Sequence, residues 1–175
     1  MALIESIDKF REVKVVQAID ASLGTYAAKD VVGADDCCTT LAISWIFEVA
    51  KENGGNGYIR GARIFNETEN QAAQYDLHLF SAIPNGELRD NAANTNPLKT
   101  DKDIFLGTIV FPISVAQGAS VATNTQVPAI TVGKMRFPFR CAPNSKNIYG
   151  VLVTNTAYAQ TATDDIEITL VVEQD

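Results

Sequence analysis

Residues 165–174, Asp-Ile-Glu-Ile-Thr-Leu-Val-Val-Glu-Gln, set Ile166, Ile168, Leu170 and Val172 against Glu167, Thr169, Val171 and Glu173 at alternate positions. A period of two is that of a strand with one face buried and the other in water. Working outward, the same period recurs at 147–156 and at 41–50, where Leu41, Ile43, Trp45, Phe47 and Val49 form the apolar set and Trp45 is expected in the core. At 74–82 it places Tyr75, Leu77 and Leu79 on one face and Asp76, His78 and Phe80 on the other. In 103–113 both alternate sets are apolar, Ile104, Leu106 and Val110 in one and Phe105, Ile109 and Phe111 in the other. Such a strand is either covered on both faces or has one face to spare for a partner.

With 13–18, 29–34, 57–66, 127–133 and 135–141, about nine to ten short strands emerge, separated by turn residues. The fold class expected is all-β, an antiparallel β-sandwich or jelly roll. Pro128 and Pro138 assign their strands to sheet edges or bends. Gly and Asn in 51–57 (KENGGNG) read as a hairpin loop, and 157–165 (AYAQTATDD) reads as a second hairpin connection. Ile83-Pro84-Asn85-Gly86 is a turn, and 87–103, rich in Asn and without apolar period, reads as a long surface loop. Residues 114–126 read as a small, polar connection. Near 3–11, Ile4, Ile7 and Phe10 stand at i, i+3, i+6, the pattern of a short helix, with an extended arm as the alternative. The division expected is an N-terminal arm with the first strand at 1–20 and one sandwich domain at 21–175.

The whole chain is 175 residues and 18.9 kDa, enough for one domain with its own core. Fourteen Lys and Arg against 21 Asp and Glu give a net charge of −7, a field that repels a phosphate backbone, so no nucleic-acid partner is expected. No apolar run reaches the ~20 residues of a spanning helix, so no membrane partner is expected either. The N-terminus has neither the basic start nor the unbroken apolar stretch of a secretory signal. Three cysteines, two of them the adjacent Cys37 and Cys38, suit a reducing compartment, with a bridge from Cys141 to one of the pair as the alternative.

The search for chemistry is mostly negative. The single histidine, His78, lies mid-strand, and no Gly-x-Ser-x-Gly turn accompanies it. Cys37, Cys38, Cys141 and His78 lack the paired spacing of a zinc site. Gly54, Gly55 and Gly57 are not followed by Gly-Lys-Ser/Thr, so a turn explains them better than a phosphate loop. Asp35-Asp36, Asp101 with Asp103 and Asp164-Asp165 are candidate Ca²⁺ donors without EF-hand spacing, and solvated turn residues otherwise. The expectation is no enzyme, no cofactor and no metal. At 134–140, Lys134, Arg136, Phe137, Phe139 and Arg140 form a basic and aromatic cluster suited to an acidic protein surface.

Two blocks carry a resemblance. Tyr26 to Gly33 (YAAKDVVG) resembles the Tyr-x-x-x-Asp-Val-[Val/Ile]-Gly opening strand of small β-sandwich virion proteins of tailed bacteriophages, and Tyr149 to Leu170 is similar to their closing strands. Ile59 to Ile64 with Tyr75 to Asn85 looks like their central hairpin. Gln160 departs from the pattern, where a proline is common, and 87–103 is peculiar to this chain. The resemblance implies a capsid decoration (cement) protein, often a trimer, bound to the major capsid protein on the virion surface after assembly in the host cytoplasm. Tail or baseplate placement is the other position it allows.

A protein of that kind needs contact surface. The candidates are the apolar arm (Leu3, Ile4, Ile7, Phe10), the doubly apolar strand (Ile104, Phe105, Ile109, Phe111), the basic cluster (Arg136, Phe137, Arg140) and polar contacts from 87–103. For each, packing within the chain is the alternative. The rival class is a carbohydrate-binding or receptor-binding module of a phage tail or baseplate, for which Trp45, Tyr58 and Tyr75 are the available aromatics.

Overall fold

The alternating stretch at 165–174 lies in strand β12 (Asp164–Gln174), whose Ile166, Ile168, Leu170 and Val172 are at most 1% exposed. The computed structural model describes residues 9–34, 45–68, 72–113, 129–160 and 163–174. In one sheet β12 pairs antiparallel with β1 (Phe10–Ile19) on one side and β5 (Asn56–Asn66) on the other. Along the far edge of β5 lie β8 (Ala129–Val132) and β9 (Phe137–Arg140), end to end. In the second sheet β10 (Asn147–Thr154) pairs with β6 (Tyr75–Phe80), and β6 with β7 (Phe105–Phe111). On its other side β10 carries β3 (Val31–Val32) and β4 (Trp45–Glu48), again end to end. A two-stranded ribbon of β2 (Thr25–Tyr26) and β11 (Tyr158–Ala159) completes the set.

Counting each end-to-end pair as one row, each sheet has four rows. Followed along the chain, every row crosses to the facing sheet except β6 to β7, which stay neighbours. That wrapping is a jelly roll, so both the all-β class and the sandwich follow from the observed pairing. The inner faces of both sheets meet in one core containing Trp45, Phe47, Ile59, Leu77, Leu79, Phe111, Ile148, Leu152 and Ile168. Within it the Trp45 indole donates to the Val32 carbonyl at 2.8 Å.

The topology corrects two expectations. The segment 51–57 is not a hairpin, since β4 and β5 belong to different sheets, and 157–165 joins β10 to β12 across the sandwich in the same way. Gly54 does take a positive φ of 72°, so the turn chemistry was read correctly and the pairing was not. β4 lies across the core from β1 rather than beside β5; alternation reports a buried face and is silent on the neighbour.

The expected first strand is β1, which sends Val13 and Ile19 into the shared core, so no structural boundary falls at residue 20. Of the proposed arm, Leu3, Ile4 and Ile7 lie outside the described residues, as do Asp35, Asp36, Cys37, Cys38, Leu41, Ile43 and 114–128. Phe10 opens β1 as a strand residue, 55% exposed.

In β7 the simple alternation fails at a bulge. The register with β6 shifts between Leu79 and Phe80, and Gly107 opposite Leu79 has φ 138°, a conformation L side chains rarely adopt. Ile109 and Phe111 therefore enter the main core, while Phe105, assigned to their face by parity, lies on the opposite side against Phe80. Ile109 and Phe111 are 2% and 0% exposed, so they are not partner-contact residues. Phe111→Ala is expected to lower unfolding stability by about 3–5 kcal/mol, measured by urea titration, through the cavity it leaves. A stability unchanged within error would remove Phe111 from the core.

Candidate functional site

The two sheets present unlike outer faces. On the second sheet Val31, Phe80, Val151 and Val153 point away from the main core and are at most 3% exposed, because Leu88 and the half-buried Ile104, Phe105 and Tyr149 close over them in a separate apolar cluster. At its Ile104 and Phe105 end the spare face of the 103–113 strand is thus occupied by its own chain, while Val110 farther along is 49% exposed. The cover is the 81–104 segment, so 87–103, expected as a long surface loop, lies on the surface as a lid over this cluster.

Its order comes from hydrogen bonding. Val31 and Ala92, Asn91 and Val31, and Asn94 and Lys29 exchange backbone bonds of 2.8–2.9 Å, which lines the segment up along the edge of β3. Asp90 is buried and accepts from the Tyr26 hydroxyl at 2.7 Å and from the Gly33 N–H at 2.9 Å. Asp101 is fully buried and accepts from the Asn85 N–H and side-chain amide and from the Leu98 N–H. Its oxygens are therefore committed to the lid, which corrects its reading as a candidate Ca²⁺ donor or solvated turn residue. Burial pushes the Asp101 carboxyl up, but the bonds from Asn85 and Leu98 outweigh it and hold the carboxyl below its ordinary value. Hydrogen bonds from the Arg89 guanidinium pull Glu87 down to about 2.

Behind Asp90 is a group of buried tyrosines. Tyr26 and Tyr158 stack with ring centroids 4.8 Å apart, and Tyr75 meets Tyr158 edge-on at 6.2 Å. Burial first, and the Asp90 carboxylate beyond it, hold the Tyr26 hydroxyl protonated far above the usual tyrosine range. Burial also pushes Tyr75 up to about 12, against a bond from the Asn66 amide at 3.1 Å. The Tyr26 hydroxyl thus donates to Asp90, and the Tyr75 hydroxyl accepts from Asn66, within the buried end of the sandwich. Gln160 belongs to the same end: its N–H donates to Gly24 O at 3.1 Å and its side-chain amide to Thr68. A proline there would forfeit the first bond.

His78 projects from the outer face of β6, its Nδ1 2.8 Å from the Thr108 hydroxyl, and burial lowers its pKa. Among the described residues no group of three His, Cys, Asp or Glu side chains is placed to hold a metal. Cys141 is buried and free, and burial pushes its thiol up to about 11.

The outer face of the first sheet is a charged ladder. One row crosses the whole sheet as Phe10, Glu173, Tyr58 and Pro138, and two rows on stand Lys14, Thr169, Arg63 and Thr131. Glu167, beside them, takes Lys14 at 2.6 Å and Arg63 at 3.5 Å, and Glu173 takes Arg60 at 3.3 Å. The Arg136 guanidinium lies 4.6 Å over the Tyr58 ring. Of the basic cluster, Arg136 and Arg140 are exposed on this face, while Phe137 packs against the core. The Phe10 and Tyr58 row was not read from the sequence; only the register of β1, β12, β5 and β9 aligns residues so far apart in the chain.

No family model matches the chain, and no curated protein matches it.

Asp90→Ala leaves the Tyr26 hydroxyl and the Gly33 N–H without that acceptor and is expected to cost about 2–5 kcal/mol, read by urea unfolding. Because the carboxyls of Glu87 and Asp101 are depressed in the folded chain, each contributes fully above its ordinary carboxylate pKa and loses that contribution as pH falls through its folded value, which for Glu87 is about 2. The protection factors of amides across 85–101, corrected for the pH dependence of intrinsic exchange, should therefore fall between pH 5 and pH 2 before those of the core amides do. Uniform protection down to about pH 2 would show that these carboxylates do not hold the lid.

Proposed function

We propose that this chain is a virion structural protein of a tailed bacteriophage, a decoration protein that binds the major capsid protein on the outside of the head as a trimer. The observation that supports it most is where the two resembling blocks lie. Tyr26 to Gly33 and Tyr149 to Leu170 are distant in sequence, yet they meet as paired strands: Tyr26 with Tyr158, Val31 with Val153 and Val32 with Leu152. The resemblance thus falls on one packed unit rather than on scattered strand patterns. The fold alone does not assign a function, since jelly rolls serve capsids, lectins and enzymes alike.

The physical role fits such a scaffold. A protein that binds the assembled shell and not its free subunits adds its binding free energy to particle stability by linkage, and for this it needs surface, not catalysis. The carbohydrate-binding or receptor-binding reading has less support: Trp45 and Tyr75 are 1% and 2% exposed, and Arg136 occupies the ring of Tyr58.

The test is to add purified protein to phage heads that lack it. Saturable co-sedimentation, with a rise in the temperature at which heads release DNA, is the expected result. Absence of binding to such heads, with retention on a glycan surface, would transfer the assignment to the rival module.

A further inference from the structure

The inference concerns the edge of β1 and stands independently of the virion reading. A sheet edge offers unpaired backbone donors and acceptors, and folded proteins blunt it with proline, bulges, breaks or cover. Three of the four edges here are blunted. β8 and β9 form an interrupted row with Pro138 inside it, β7 carries the Gly107 bulge, and β3 is lined by 91–94. β1 is the exception: Phe10 to Val16 lie in unbroken register with β12, and among the described residues no strand pairs with their other side.

The side chains of β1 are arranged for a copy of themselves. Val13 and Ile19 face the core, so Phe10, Glu12, Lys14 and Val16 share the outer face, and Phe10 and Val16 are 55% and 42% exposed. In an antiparallel pair centred on Val13, Phe10 of one copy stands opposite Val16 of the other, and Glu12 stands opposite Lys14. The two-fold axis repeats both matches, giving two apolar pairs flanking two opposite-charge pairs. A shift of two residues in pairing loses the match: centred on Glu12, like charges face each other, and centred on Lys14, they do so again. We propose that β1 is a self-association site, at which two copies of this chain join their first sheets edge to edge in the register that opposes Val13 to Val13.

The experiment is light scattering over a concentration series, with four variants. The wild-type mass is expected to rise from 18.9 kDa toward twice that value. Phe10→Lys and Val16→Lys, both at exposed positions beside Glu173 and Glu167 of β12, should each raise the concentration needed for association at least tenfold. Ile83→Lys, which removes an equally exposed residue away from β1, should leave it unchanged. Combining Phe10→Lys with Val16→Glu puts opposite charges across the axis twice and should restore association, which loss of apolar surface alone would not do. A wild-type mass of one copy at every concentration would overturn the site, and so would association indifferent to the β1 substitutions. A three-copy mass that neither lysine alters would overturn it while leaving the virion reading standing, whereas loss of head binding with β1 association intact would do the reverse.

Discussion

β10 has no polar face, and much of the remaining structure follows from that. Ile148 and Leu152 point into the main core while Val151 and Val153 point out of it, all at most 2% exposed. A central strand apolar on both sides must be covered on both. The facing sheet supplies one cover, and the 81–104 segment supplies the other. A segment laid over apolar surface cannot leave its own backbone groups unpaired, which is why Asp90, Asp101 and Asn96 are buried within a stretch of otherwise polar composition. The Asn-rich character of the segment is therefore its hydrogen-bonding supply, and the carboxylates of Asp90 and Asp101 face inward.

The same constraint explains how far the sequence could be read. Alternation located the strands, and at 75–80 it divided the faces correctly, Tyr75, Leu77 and Leu79 going to the main core and Phe80 to the outer cluster. It also showed that 103–113 is apolar on both sides. What it could not carry was the identity of the cover, because a polar lid and a solvated loop have the same composition. Pairing was equally illegible: a turn after Val49 suits a hairpin and a sheet crossing alike. The phase change at Gly107 had one local cue, a glycine within an otherwise bulky strand, which is a recognised mark of a bulge.

The candidate contact surface shrank for reasons that are themselves physical. Ile109 and Phe111 were attractive because they were surplus apolar residues, but the bulge turns them inward, and the lid takes Ile104 and Phe105. The charged ladder on the first sheet consists of pairs such as Lys14 with Glu167, whose lysine is more than half exposed, and pairs of that kind contribute little to stability. Their value lies in keeping a flat sheet face soluble and in fixing which partner geometry it tolerates. Of the sequence candidates among the described residues, Phe10, Arg136 and Arg140 remain exposed, with Arg136 held flat on Tyr58.

A protein that works by contact gains from surfaces that are already ordered, since fixing a loose loop on binding subtracts from affinity. The lid meets that condition. Its backbone is bound along β3, the carboxylates of Glu87, Asp90 and Asp101 are engaged, and Ile83 and Leu98 still stand 53% and 37% exposed on it. Ile83 and Leu98 flank the Asn85 and Asp101 pairing, so the bonds that anchor the lid also fix the two apolar points it presents. The requirement to cover β10 thus yields, as a by-product, a rigid outer surface with two apolar points, and evolution of a partner contact there would need only side-chain changes on a backbone already held in place.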